Sequence, residues 1–157
     1  MSESIIVLAF GSQYSQLIAR RIRECCVFSK IMPYFTSAEA IKAENPKGII
    51  LSGGPASVYA DHAPKCDPAI FELGIPVLGI CYGLQLMIHT LGGKITRGKA
   101  REYGKAMLSI TKSSDIFAGL VGETQVWMSH GDKVTALPPG HQCEMLGSSG
   151  NTEYCAL

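Results

Sequence analysis

The stretch Val77-Leu-Gly-Ile-Cys-Tyr-Gly-Leu-Gln-Leu-Met87 governs the reading of the whole chain. Pro76 to Ile80 is short and apolar, as a buried strand requires. Leu84, Met87, Ile88 and Leu91 then follow at helical spacing, up to a stop at Gly92-Gly93. Between strand and helix stands Gly79-x-Cys81-x-Gly83. Free cysteine is among the most buried residue types, so Cys81 reads either as core packing or as a nucleophile on the turn. Small residues two before and two after it let the backbone turn sharply and project the side chain. That is a nucleophile elbow with cysteine in place of serine. A helix opening near Tyr82 would set its positive end beside the sulfur, and helix N-termini can bring a thiol pKa from about 8.5 into the range of roughly 3.5–7.5. The Tyr82 amide is placed by the elbow itself as an oxyanion donor. The Gly53-Gly54 loop can present a second, because glycine lets the backbone come close.

Upstream, the same alternation repeats. Ile5 to Phe10 reads as a strand, followed by a helix from Gly11-Ser12 to about Cys26 with Leu17, Ile18, Ile22 and Cys25 inward. Val27 to Met32 reads as a second strand, stopped by Pro33. Thr36-Ser-Ala-Glu39 has the capping-box pattern of a short helix. Gly48 to Ser52 is a third strand, and Asp67-Pro68 supplies an N-cap and first helical residue. Strand and helix in turn predict βαβ units, a mostly parallel sheet and helices on both faces. Ligands bind at the carboxyl edge of such sheets, where Ser52-Gly-Gly-Pro55 and Gly79-Ile-Cys-Tyr-Gly83 both fall. Beyond Lys94 strands and turns are expected, at Ala106 to Thr111, Thr124 to Met128, Glu144 to Ser148 and Tyr154 to Leu157.

The 157 residues suit one domain with a real core. Fourteen basic residues against thirteen acidic ones, a net charge of +1, point to neither nucleic acid nor an anionic membrane. Arg20, Arg21 and Arg23, followed by Glu24, read as a solvated helix face. No stretch resembles a secretory signal or a membrane span. The six cysteines form no CxxC pair, which favours a reduced, cytoplasmic protein and gives no metal site. GxxxxGK[ST] has no match, so ATP binding is not expected here; Gly92-Gly93-Lys94 reads as a helix stop.

Five motifs, Phe10-Gly-Ser-Gln-Tyr14, Ile50-Leu-Ser-Gly-Gly-Pro55, Gly79-Ile-Cys-Tyr-Gly-Leu-Gln85, Arg101-Glu-Tyr-Gly104 and Val126-Trp-Met-Ser-His-Gly-Asp132, carry a resemblance. In order and spacing the chain resembles the class I glutamine amidotransferase domains of the GMP synthase type, from about residue 4 to 150. The Ser-Gly-Gly-Pro loop and the Val126–Val134 stretch favour that type over relatives whose loop reads Ser-Pro-Gly-Pro. The resemblance implies a flavodoxin-like open α/β sheet, truncated here at its C-terminal side. It implies that Cys81 attacks the side-chain amide of glutamine, that Gly54 and Tyr82 amides form the oxyanion hole, and that Gln85 with the loop Ser129, His130, Gly131 and Asp132 holds the substrate. It also implies ammonia transfer to an ATP-pyrophosphatase domain that aminates xanthosine monophosphate in purine biosynthesis. ATP and magnesium belong to that domain, and the whole enzyme is expected to be a homodimer.

Two departures stand out. Ala9 occupies a position where the family usually has aspartate. The family's base and orienting acid lie in a His-Pro-Glu stretch beyond the last strands, which this sequence does not include, so residues 1–157 alone are expected to be inactive. His130-Gly-Asp132 is a tempting substitute, but adjacent loop residues cannot easily aim one imidazole at both Cys81 and its own neighbour. His89 reads as a partly exposed helix residue, and His62 and His141 as surface. Two rivals stay open: a separate glutaminase subunit of the same class, and a catalytically dead binding or regulatory module.

Overall fold

Four short parallel strands lie side by side in the order β2-β1-β3-β4 in the computed structural model. They are β1 (Ser4–Ala9), β2 (Phe28–Pro33), β3 (Gly48–Leu51) and β4 (Val77–Gly79). The structure describes residues 3–113, 115–140, 144–150 and 152–156, with residues 98–102, Asp115, Ser129 and His130 described by backbone only. These residues gather into two units, Met1–Met87 and Ile88–Leu157.

In the first unit β1 is central, pairing with β2 through Val7↔Ile31 and with β3 through Val7↔Ile50. Ile6, Val7 and Leu8 are all essentially inaccessible, so both faces of this strand are covered. One cover is α1 (Ser15–Glu24), whose Ala19 joins Val7 and Ile50 in a cluster with Ile18, Ile22 and Leu78 around it. The expected inward stripe is corrected here. Ser15, Ile18, Ala19 and Ile22 face the sheet, whereas Leu17 and Cys25 are exposed. Small side chains at 15 and 19 allow the closer approach, so those residues define the buried face. Arg20 and Arg21 are exposed and pair with Glu24, as the solvated-face reading expects. Arg23 turns back to donate to the Ser29 carbonyl at 2.8 Å.

After β2 the chain crosses back over β1 to β3. Right-handed crossovers in opposite directions place α1 and α2 (Ala38–Ala43) on opposite faces. The N-cap of α2 is Ser37, accepting from the Ala40 N–H, and not Thr36, whose hydroxyl donates to the Pro33 carbonyl. Asp67 caps the short 3-10 helix Pro68–Glu72 as expected. Its carboxylate accepts from Ala38 N–H at 2.8 Å and from Ala69 N–H at 3.0 Å, and these two bonds hold its pKa below the usual carboxylate value. One side chain thus joins two helical segments 29 residues apart.

The helix α3 (Tyr82–Thr90) follows β4 and ends where Gly92 takes a positive φ of 94°. The Gly93 N–H there closes onto the Ile88 carbonyl at 2.8 Å, a glycine stop of the expected kind.

The second unit is antiparallel. A long hairpin of β5 (Lys94–Ile110) and β6 (Gly122–Ala136) is joined at Ile110 by β7 (Gly147–Ser148). β5 starts twelve residues earlier than the alternation alone suggests, and the strand expected over 144–148 shrinks to two residues. Near the end only a bridge from Gly147 to Ala156 forms. No helix among the described residues is long and apolar enough to cross a membrane.

Candidate active site

The strand order reverses between β1 and β3, and their carboxyl ends deliver Phe10 to Ser12 and Ser52 to Pro55 to one crevice. β4 delivers Cys81 alongside. The cysteine sits between β4 and α3 with φ +51°, in the left-handed region that non-glycine residues seldom occupy. A side chain on Gly79 would come within 2.5 Å of Leu84 Cα, and one on Gly83 would overlap the Leu51 carbonyl. The two glycines of the motif are therefore required by close approach of backbone to backbone. The elbow is real, and its strain is concentrated at the one residue that carries a nucleophilic group.

The Gly53-Gly54 loop lies against this elbow. A Cβ built on Gly53 falls 3.5 Å from Cys81 Cβ and 3.9 Å from Ser12 Oγ. Gly54 is packed on Phe10, where an added Cβ would stand 2.6 Å from the carbonyl oxygen. Tyr82 begins α3, so its N–H is among the first-turn donors that a helix leaves unpaired. The next donors are committed, Gly83 N–H to Ile80 at 2.9 Å and Gln85 N–H to Cys81 at 3.1 Å. Gln85, one turn beyond Cys81, is only 7% exposed.

Burial pushes the Cys81 thiol above its ordinary value although the residue reaches the surface. That direction is opposite to the expected helix-assisted thiolate. Protein packed around the sulfur penalises the charged form, and no described charged group offsets it. The thiol needs a proton acceptor to react at neutral pH.

Ser129, His130, Gly131 and Asp132 belong to the second unit, and they lie in β6, not in a loop. Ser129 pairs with Tyr103, His130 with Glu102 and Asp132 with Arg97, so the two distant motifs of this unit share one ladder. The register shifts between Arg97 and Glu102, opposite His130 and Asp132, and such bulges cluster beside functional sites. His62 is exposed and His89 half-buried, as expected, while His141 lies outside the described residues.

The family profile described as Glutamine amidotransferase class-I matches residues 6–157. The chain belongs to the class I glutamine amidotransferases. A protein of Heliobacterium modesticaldum named GMP synthase [glutamine-hydrolyzing] is 62% identical over 152 residues, covering 97% of this amidotransferase chain and 29% of the relative. One of Campylobacter fetus with the same name is 58% identical, covering 98% and 30%. The chain thus spans under a third of the length of these relatives. The crystal structure of a Thermoplasma acidophilum protein, provisionally described as one subunit of a GMP synthase, superposes with TM-score 0.85 at 28% identity, covering 98% of this chain and 76% of that one. A Thermotoga maritima glutamine amidotransferase shares the fold at TM-score 0.75 and 20% identity.

Two features of this amidotransferase site escape a reading by motif. Ser52 reads as a strand end, yet its buried hydroxyl is bonded to the loop it precedes. The Tyr82 phenol donates to the Pro64 carbonyl at 2.6 Å, tying the long loop after β3 to the elbow helix. Beside it, burial lifts the Cys66 thiol from 9.0 to about 11 and the Tyr82 phenol to about 12.

A folded pKa above the unfolded one stabilises the fold fully below the unfolded value and is lost as pH rises through the folded one. Stability of this chain should therefore hold to about pH 9 and fall beyond it, first as Cys66 and then, towards about pH 12, as Tyr82 loses the advantage of its neutral buried form. Thermal unfolding followed across that range checks it. Cys66→Ala should remove the part of the decline that begins near pH 9 and leave the later part set by Tyr82, and an unchanged onset in that variant would assign the early loss elsewhere.

Proposed function

We propose that this chain is the glutamine-hydrolysing part of a GMP synthase. The observation that carries the reading is Cys81 at positive φ on a glycine-flanked turn, with the Gly53-Gly54 loop against it. The names of the relatives, at 62% and 58% identity over nearly all of this chain, support the pathway. In the proposed reaction Cys81 Sγ, deprotonated by a base, attacks the side-chain amide carbon of glutamine. The C–S bond forms and the carbonyl oxygen takes the negative charge, facing the Gly54 and Tyr82 N–H groups. The intermediate collapses as the C–N bond breaks, and the proton is returned to the departing ammonia. Water, deprotonated in turn, cleaves the glutamyl thioester to glutamate and free thiol.

Gln85 and the β6 stretch Ser129 to Asp132 are proposed to hold the amino-acid end of the substrate. The base and its orienting acid are proposed to come from a His-Pro-Glu stretch outside these residues. Ammonia would pass to an ATP-pyrophosphatase domain, where ATP and magnesium activate xanthosine monophosphate, in a cytoplasmic homodimer. A separate glutaminase subunit is the second reading, favoured by the subunit-type neighbour of which this chain covers 76%. Whether the gene continues into the ATP-using domain decides between them.

The thioester supplies the direct test. Acid quenching of the full-length protein during turnover should leave a glutamyl group on the Cys81 peptide, detectable by mass mapping. Steady glutamine consumption with that peptide always unmodified would count against the covalent route.

A further inference from the structure

Ser52 directly follows β3 and has no accessible surface. Its hydroxyl accepts from the Phe10 N–H at 3.1 Å and donates to the Gly53 carbonyl at 3.0 Å, and it lies 3.2 Å from the Ser15 hydroxyl, which also reaches the Ser12 carbonyl at 3.2 Å. A serine hydroxyl has one proton, and the Gly53 carbonyl, which can only accept, takes it here, while the Phe10 N–H fills one of its lone pairs. The Gly53 carbonyl belongs to the same peptide unit as the Gly54 N–H. In a trans peptide the two groups point in opposite directions and turn together as one plane. The described residues contain no cis peptide bond. Holding the Gly53 carbonyl towards the buried hydroxyl therefore turns the Gly54 N–H away from it. Glycines at 53 and 54 leave the flanking torsions permissive, so the plane needs an external tie.

We infer that Ser52 is a positioning residue that aims the Gly54 N–H for oxyanion binding. The inference rests on the glutaminase reading above. Losing an oxyanion donor outright lowers kcat about 10²–10³-fold, so Ser52→Ala, which only frees the donor to rotate, should lower kcat for glutamine about 10–100-fold. KM should stay within about threefold, because the ground-state amide places little charge on that oxygen.

The test uses the full-length protein with glutamine hydrolysis, ammonia-dependent synthesis and iodoacetamide labelling of Cys81 as parallel readouts. Alkylation builds no oxyanion, so labelling should keep its wild-type rate in Ser52→Ala, as should synthesis from ammonia. Ser15→Ala removes a bond to the same hydroxyl without touching Gly53, and should hold kcat within about twofold. Ser52→Cys keeps the size with a weaker donor, and should lose about tenfold even if the alanine variant does not fold. A kcat within about twofold of wild type in the folded Ser52 variants would overturn the role of Ser52 alone. So would a fall in labelling that matches the fall in kcat, which marks general distortion. Wild-type protein that leaves glutamine intact would overturn the glutaminase reading itself.

Discussion

Replacing Cys81 with alanine should abolish GMP formation from glutamine in the full-length protein, by at least about 10⁴-fold, and leave formation from ammonium salt intact. The magnitude follows from removing a nucleophile, for which the rest of a site compensates poorly. The selectivity follows from the chemistry: free ammonia bypasses the thioester, so a part that only releases ammonia becomes dispensable. Alanine should also be tolerated by the fold. Cys81 reaches the surface, and its residue carries the unfavourable positive φ with or without sulfur. Steady-state assays with each nitrogen source on one preparation make the comparison. A dead regulatory module predicts a wild type that already cannot use glutamine. Loss of both activities would mean that Cys81 serves the fold or the synthetase chemistry.

The second large effect belongs to Gly54. Its added Cβ in Gly54→Ala would stand 2.6 Å from the Phe10 carbonyl oxygen and 3.3 Å from Phe10 Cβ. Phe10 has little room to yield. It is 3% exposed, its ring lies 5.7 Å from that of Tyr34 and 5.5 Å from that of Tyr82, and its N–H is held by Ser52. The loop must move instead, carrying the proposed oxyanion donor off its position. Glutamine hydrolysis should fall by about 10²–10³-fold in kcat. Ammonia-dependent synthesis and simple alkylation of Cys81 should persist. Near-normal kcat in a folded Gly54→Ala protein would remove Gly54 from the oxyanion hole.

These effects also show where sequence pattern and tertiary structure part company. The strand-helix alternation, the glycine stop at Gly92 and the cap at Asp67 are local properties, legible because backbone sterics and short-range hydrogen bonding dictate them. The Gly79-x-Cys81-x-Gly83 spacing is legible for the same reason, since a turn that tight tolerates no Cβ on either side. The inward face of α1 is misjudged because periodicity ranks Leu17 above Ser15 and Ala19, whereas contact distance to the sheet selects the small residues. The 129–132 stretch is placed in a loop by the family resemblance, and only its pairing with β5 shows it as a strand.

By itself, the sequence determined which residue stands on the elbow and which loops accompany it, because an elbow is specified by side-chain size at fixed spacing. Only the tertiary structure decided what surrounds the thiol and what holds the loop beside it. Protein packed around Cys81 raises its pKa against the expected pull of the helix terminus. Phe10 and Ser15 reach the Ser52 hydroxyl from another segment of the chain, and that hydroxyl alone holds the Gly53 carbonyl. Desolvation and hydrogen-bond direction depend on which atoms surround a group in space, and neighbours 37 and 42 residues away along the chain leave no local pattern to read.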